Sequence, residues 1–362
     1  MSRNINRALH ALMASHVKRA FALLALFVVG INVAAAQDIS IYADHLDGPR
    51  GLKFGPDGAL YVAEAGQGGS ELACINVPFV GPYHGGPTAR ISKITGPDQR
   101  STVVEGLPSA KSSLKSGDTM GVADVAFLGD NLFALIAGGG CSHGNASTPN
   151  GLISVDQKKG TWKYVDDLSA FFLANPVTPP PADLEPEGTP FAVTEHQGHF
   201  YAVEPNQGEI IRINAGGYTE RLIQISATEG HVVPTAIVFH DGFFYVGTLS
   251  TYPIKPGAAR VYLISEDGTI QASHAGFTTV TGIAFDGKGR IYVLELSTAP
   301  GLPVPGAGKI VRVNESGELE DFITGLVLPT ALTIGPDGAL YVSNFGAAAP
   351  GLGQILRITI PD

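Results

Sequence analysis

From residue 38 onward the chain alternates short apolar runs with Gly/Asp turns, the pattern of strands joined by tight hairpins. Two near-identical copies show it best: Pro49-Arg-Gly-Leu-Lys-Phe-Gly-Pro-Asp-Gly-Ala-Leu-Tyr-Val-Ala-Glu64 and Pro329-Thr-Ala-Leu-Thr-Ile-Gly-Pro-Asp-Gly-Ala-Leu-Tyr-Val-Ser-Asn344. Four more divergent copies begin at Ala123, Phe191, Pro234 and Thr281. After each hairpin comes a strand with period-two alternation, such as Gly208-Glu-Ile-Ile-Arg-Ile213 or Lys309-Ile-Val-Arg-Val313, which suggests one buried and one semi-exposed face. A fourth strand closes most units, for example Ser101-Thr-Val-Val-Glu105 and Glu220-Arg-Leu-Ile-Gln-Ile225.

Four antiparallel strands repeated at a fixed period predict the blades of a propeller, here an all-β, six-bladed one. The sixth unit lacks its fourth strand, while Asp38-Ile-Ser-Ile-Tyr-Ala43 precedes the first hairpin with no unit of its own. The N-terminal strand is therefore expected to complete the last blade and close the ring, which removes the open edge of a linear array. One propeller domain over residues 37–362 follows.

Long connections fall on one side. Residues 66–88, 138–149, 249–258, 297–307 and 345–352 separate second from third strands, and 169–186 joins one blade to the next. In an antiparallel blade these connections leave from the same face, whereas Gly55-Pro-Asp-Gly58 and its counterparts on the other face stay tight. Elaborated loops on a rigid scaffold are where function concentrates.

Residues 1–36 carry Arg3, Arg7, Lys18 and Arg19, then the apolar run from Phe21, then Ala34-Ala-Ala36, the three parts of a cleaved signal peptide. Its removal takes four basic residues and no acidic ones, leaving 19 Lys+Arg against 33 Asp+Glu, or −14. That field disfavours nucleic acid and anionic membranes. A periplasmic or extracellular monomer is expected. In an oxidising compartment Cys74 and Cys141 are expected to form a disulfide; a soft metal site at Cys141 with His143 is the rival.

In register, Arg50, Ala123, Phe191, Thr235, Thr281 and Thr330 start the inner strands. Glu64, Glu204, Glu295 and Asn344 end the second strands, with Asn206 just beyond. These residues converge on the elaborated mouth of the channel. Three carboxylates and two amides there could hold calcium, which takes six to eight oxygens, orient a polar ligand, or simply bond loop amides. Glu229-Gly-His231 is the best acid/base pair, since His titrates near neutrality. Asp183, Glu185 and Glu187 read as a solvated acidic loop, and His84, His143, His196, His199 and His240 as mostly turn or loop residues. No nucleophile elbow, P-loop or Cys-x-x-Cys motif appears. The leading expectation is a binding or accessory protein for a small molecule or protein segment. The alternative is a calcium-type hydrolase or lyase.

Several segments, among them Pro49–Gly58, Gly121-Val-Ala-Asp-Val-Ala-Phe127, Gly140-Cys-Ser-His-Gly144, Tyr201-Ala-Val-Glu-Pro-Asn206, Gly230-His-Val-Val-Pro-Thr235 and Ser343-Asn-Phe-Gly346, resemble the ScyD/ScyE family over the whole exported chain. The resemblance implies an exported, NHL-like propeller of a kind linked to scytonemin pigment genes. It carries over no catalytic residues. A weaker likeness reaches calcium-dependent lactonases and quinone-dependent sugar dehydrogenases. The lactonases, however, place acidic and amide ligands at inner-strand starts, where this chain has Arg, Ala, Phe, Thr, Thr, Thr.

Overall fold

The computed structural model describes residues 37–77, 80–114, 118–314 and 317–361. The leader expected at 1–36 lies outside the described residues. Residues 38–360 form one compact unit of six antiparallel sheets.

The inner strands, in ring order, are Pro49–Phe54, Val122–Leu128, Ala192–His196, Val233–His240, Val280–Phe285 and Ala331–Ile334. Each packs on the next, and the last returns to the first. The closing strand is as expected: Ile39–Leu46 pairs antiparallel with Gly353–Ile358, joining Ile39 to Ile358 and Ile41 to Leu356. The two ends of the described chain are thus locked in one sheet.

Six apolar clusters fill the six interfaces between blades. One joins Tyr61, Ile91 and Val104 to Val125, Leu132 and Ile153, and another joins Leu46, Leu52 and Val62 to Tyr341 and Ile355. Because every blade is covered on both faces, Leu60–Glu64 is buried at all five positions. The simple alternation expected of the third strands is correspondingly blurred. Glu209–Asn214 is buried at four of its six positions, and its Arg212 pairs with Glu220.

The repeat's Gly-Pro-Asp-Gly turn has a mechanical role on the trimmed face. Asp57 accepts from Ala59 N at 3.1 Å and from the Tyr61 hydroxyl at 3.0 Å. Asp337 repeats this with Ala339 and Tyr341. Gly58 and Gly338 adopt φ of +77° and +76°, a conformation that favours glycine.

Two loop expectations change. In the first blade the third strand runs Tyr83–Ile94, so residues 83–88 of the expected insertion are strand, and Glu71–Leu72 pairs onto it. Residues 169–186 begin within a short helix, Leu168–Ala174, capped by Asp167 accepting from Ala170 N. Cys74 and Cys141 form the disulfide and tie the first blade's loop to the second's, which removes Cys141 from the rival metal site. No helix among the described residues is long and apolar enough to cross a membrane.

Candidate functional site

The residues ending the second strands serve the loops of their own blades. Glu64 accepts from Asp47 N at 2.7 Å and from the Ser92 hydroxyl. Glu204 accepts from Thr189 N at 3.0 Å and Gln207 N at 2.5 Å. Glu295 accepts from Thr278 N, and Asn344 Oδ1 from Val327 N at 2.8 Å. All four are buried. Each side chain satisfies an amide where the chain swings into an inner strand, since a buried N–H without a partner is costly. The structure does not assemble Glu64, Glu204, Glu295 and Asn344 into one donor set. Among the described residues no group of three or more His, Cys, Asp or Glu side chains could hold a metal ion.

The residues at the strand starts join neighbouring blades. Thr235 donates to the carbonyl of Val280 at 2.5 Å, Thr281 to that of Pro329 at 3.3 Å and Thr330 to that of Pro49 at 2.6 Å. Arg50 continues the series from blade one to blade two by donating to Thr119 O and Asp118. Asp124 then accepts from Val193 N at 2.9 Å, linking blade two to blade three. Sequence reasoning missed Asp124. Its signal was Gly51, where a side chain would collide with the Asp124 carboxylate.

A denser polar cluster lies under the elaborated face between blades two and four. His143 is fully buried; its Nδ1 is 2.9 Å from Gly139 O, and its Nε2 faces Glu185 Oε2 at 3.4 Å. Neither Nε2 nor Oε2 has a hydrogen-bond partner among the described residues. Glu187 holds the loop of His143 by accepting from Cys141 N, Ser142 N and the Ser142 hydroxyl. Burial raises the Glu185 carboxyl to about 8, with Glu204 adding repulsion. Burial also raises Glu204 to about 7 and lowers His143 to about 4. Above this cluster His231 Nε2 lies 3.2 Å from Asp183, and that pairing raises the histidine and lowers the aspartate. Asn206 donates to Asp183 O at 2.9 Å.

Of the predicted residues, this cluster gathers Glu204, Asn206 and His231 and adds His143, Asp183, Glu185 and Glu187, while Arg50, Ala123, Phe191, Thr235, Thr281 and Thr330 come together around the channel. Three expectations are corrected. Glu185 and Glu187 are buried rather than solvated, because the 180–190 loop folds inward between two blades. His231 pairs with Asp183, 48 residues away, and not with Glu229, which lies beside Tyr262. His196 and His240 end inner strands and stack on Phe239 and Phe285, at 3.5 and 3.8 Å between ring centres.

The ring of four-stranded sheets and the mouth built on it define a six-bladed β-propeller. No protein-family model matches the sequence, and neither does any curated protein. Among solved structures, the fold is similar to a Bacteroides thetaiotaomicron protein of unknown function (TM-score 0.56, 13% identity, 90% of this chain and 76% of the other). It is also similar to a Thermus thermophilus protein assigned as an oxidoreductase of the glucose dehydrogenase type (0.55, 16%, 89% and 100%). A gluconolactonase of Xanthomonas campestris is a third such structure (0.52, 9%, 90% and 91%). At these identities the likeness is one of fold.

Proposed function

We propose that this chain is an exported binding protein that holds a small molecule or a protein segment at the elaborated face of its propeller. The observation that carries the reading is that the buried polar cluster and most of the exposed apolar side chains fall on the same face, with Tyr218 and Leu319 at turns of the other and Ile39 and Ile41 on the outer strand. The buried His143/Glu185 cluster lies under that face. Exposed Leu72, Ile75, Leu114, Tyr252, Leu302 and Leu352 stand on its loops. A face that concentrates large exposed apolar side chains is a candidate contact surface.

Two of these loops are built as one ridge. Ile254 and Gly301 exchange backbone hydrogen bonds at 2.9 and 3.0 Å, setting Tyr252 and Leu302 on a shared support. Tyr252 is 59% exposed, yet its hydroxyl is raised first by desolvation and then by Asp118. The Cys74–Cys141 bridge fits an oxidising compartment. The ScyD/ScyE likeness of the motifs around Pro49, Cys141 and His231 supports an exported role near pigment chemistry. Residues 1–36 would be the cleaved leader and 37–362 a single, monomeric domain.

Native mass spectrometry of protein purified from its own host tests this. A bound species should ride with the wild type and be lost in Tyr252→Ser/Leu302→Ser at unchanged melting temperature. A species retained by that variant would refute the assignment to this face.

A second, enzymatic reading has one specific support. Asp183 orients His231 Nε2 and leaves Nδ1 at the surface, the arrangement of a general base. This version needs no metal. If His231→Asn keeps full turnover of the bound species, the enzymatic reading falls and the binding one stands.

A further inference from the structure

The inner strands enclose a channel of about 380 Å³, within the range of about 300–1,000 Å³ usual for small-molecule sites. Each inner strand is the edge of its sheet, so backbone N–H and C=O groups line the channel without a partner strand. At the elaborated end stands Arg50, only 6% exposed. Both of its hydrogen bonds leave from Nη2. Nε and Nη1 have no partner among the described residues, and neither is among the fully occluded unpartnered atoms. Arg50 lines both the channel and a small recess that Thr189 and Pro190 also line.

Three residues further along the same strand, Lys53 is exposed and also lines the channel. The facing carboxylate, Asp124, already accepts from Val125 N at 2.8 Å and Val193 N at 2.9 Å. His240 is the other titratable group of the wall. Arg50 is ion-paired with Asp118, so two cations and two carboxylates meet here, and both Asp124 oxygens are taken by backbone N–H groups. Between the charged positions the wall is mainly backbone edge and threonine hydroxyl, with Thr235, Thr281 and Thr330 among its lining, while Leu52, Val125, Ile237, Ile283 and Leu332 turn into the cores between blades.

We infer that the central channel is a binding site for a small organic carboxylate, whose charged end takes Arg50 Nε and Nη1 with Lys53 beyond and whose remainder lies against the unpaired edges of the inner strands. An anion desolvated in such a site is held by charge-assisted hydrogen bonds, and arginine suits planar carboxylates. The site lies inside the ring and stands apart from the loop-face reading. Bound ligand would also bridge blade one to its neighbours.

Calorimetric titration of the folded 37–362 chain with benzoate and with succinate tests the inference, with chloride at matched ionic strength as control. At least one carboxylate should bind saturably, one per chain, and raise the melting temperature where chloride does not. Lys53→Met should weaken binding about tenfold, the effect of losing one charge-assisted contact. Arg50→Gln should abolish binding. Because Arg50 also joins blades one and two, Lys53→Met carries the test if the arginine variant fails to fold. Burial raises the Asp124 carboxyl to about 6. Lowering the pH from 7.5 to 5.5 should therefore tighten the binding of benzoate, which stays ionised, as Asp124 loses its charge. Binding should survive in Tyr252→Ser/Leu302→Ser, which separates this site from the loop face. Non-saturable heats with both carboxylates, an equal response to chloride, or unchanged affinity in Lys53→Met would each overturn it.

Discussion

The Thr330 hydroxyl donates a 2.6 Å hydrogen bond to the carbonyl of Pro49, 281 residues away in sequence. It seals the junction of the last and first blades from the channel side, while Ile39–Leu46 seals it from the rim.

Thr330→Val keeps the shape and leaves the buried Pro49 carbonyl unpaired. It should cost about 1–3 kcal/mol in urea unfolding, the cost of an orphaned buried acceptor. Thr235→Val and Thr281→Val should behave alike at their own interfaces. A loss confined to Thr330→Val would mean that ring closure, not the hydrogen bond, sets the effect.

Deleting residues 38–46 should leave Gly353–Ile358 as an unpaired sheet edge. The truncated chain is expected to associate, seen as a concentration-dependent rise in light scattering. A truncated chain that stays monomeric with wild-type stability would refute the role of this strand.

Glu185 sits at about 8 and Glu204 at about 7 in the fold, against an ordinary value of 4.5. Between pH 6.5 and 8 the folded state therefore holds protons that the unfolded chain has released, so stability falls as pH rises. His143, lowered to about 4, is neutral throughout this window and acts only below its ordinary 6.5, where stability falls with falling pH. Urea midpoints at pH 6.5 and 8 should decline in the wild type and decline less in Glu185→Gln. An equal slope in both proteins would rule out Glu185 as the source.

Glu64, Glu204, Glu295 and Asn344 spend their acceptors on loop amides and side chains. Calcium and chelator should both leave the melting temperature where it was. A calcium-dependent rise of several degrees, the signature of a ligand that binds only the folded state, would show that these residues gather around an ion after all.

The Cys74–Cys141 bridge spans 67 residues and joins two blades. By loop-closure entropy its loss should cost about 4 kcal/mol. Cys74→Ser/Cys141→Ser should accordingly melt well below the wild type, and reductant should lower the wild type to the same point. Indistinguishable melting curves would place the bridge outside the cooperative unit.

The repeat itself made the blade count, ring closure and loop-rich face legible, because a propeller writes its geometry into sequence once per blade. Period-two apolar strands, Gly-Pro-Asp-Gly turns and one orphan strand at the N-terminus leave little else to build. The disulfide was legible too, as the only two cysteines fall in loops of adjacent blades.

What the candidate residues do was decided in three dimensions. Glu64 and Thr330 read from the sequence as polar groups converging on a channel. Thr330 does line the channel, yet both residues satisfy backbone groups, of a swinging loop and of a neighbouring blade, and those partners have no sequence signature. The His143–Glu185 and His231–Asp183 pairs bring together residues more than forty positions apart through loops that carry no repeat. Local pattern records strand and turn, since these depend on near neighbours. Burial and pairing of a charge depend on which loops close over it, and only the assembled ring determines that.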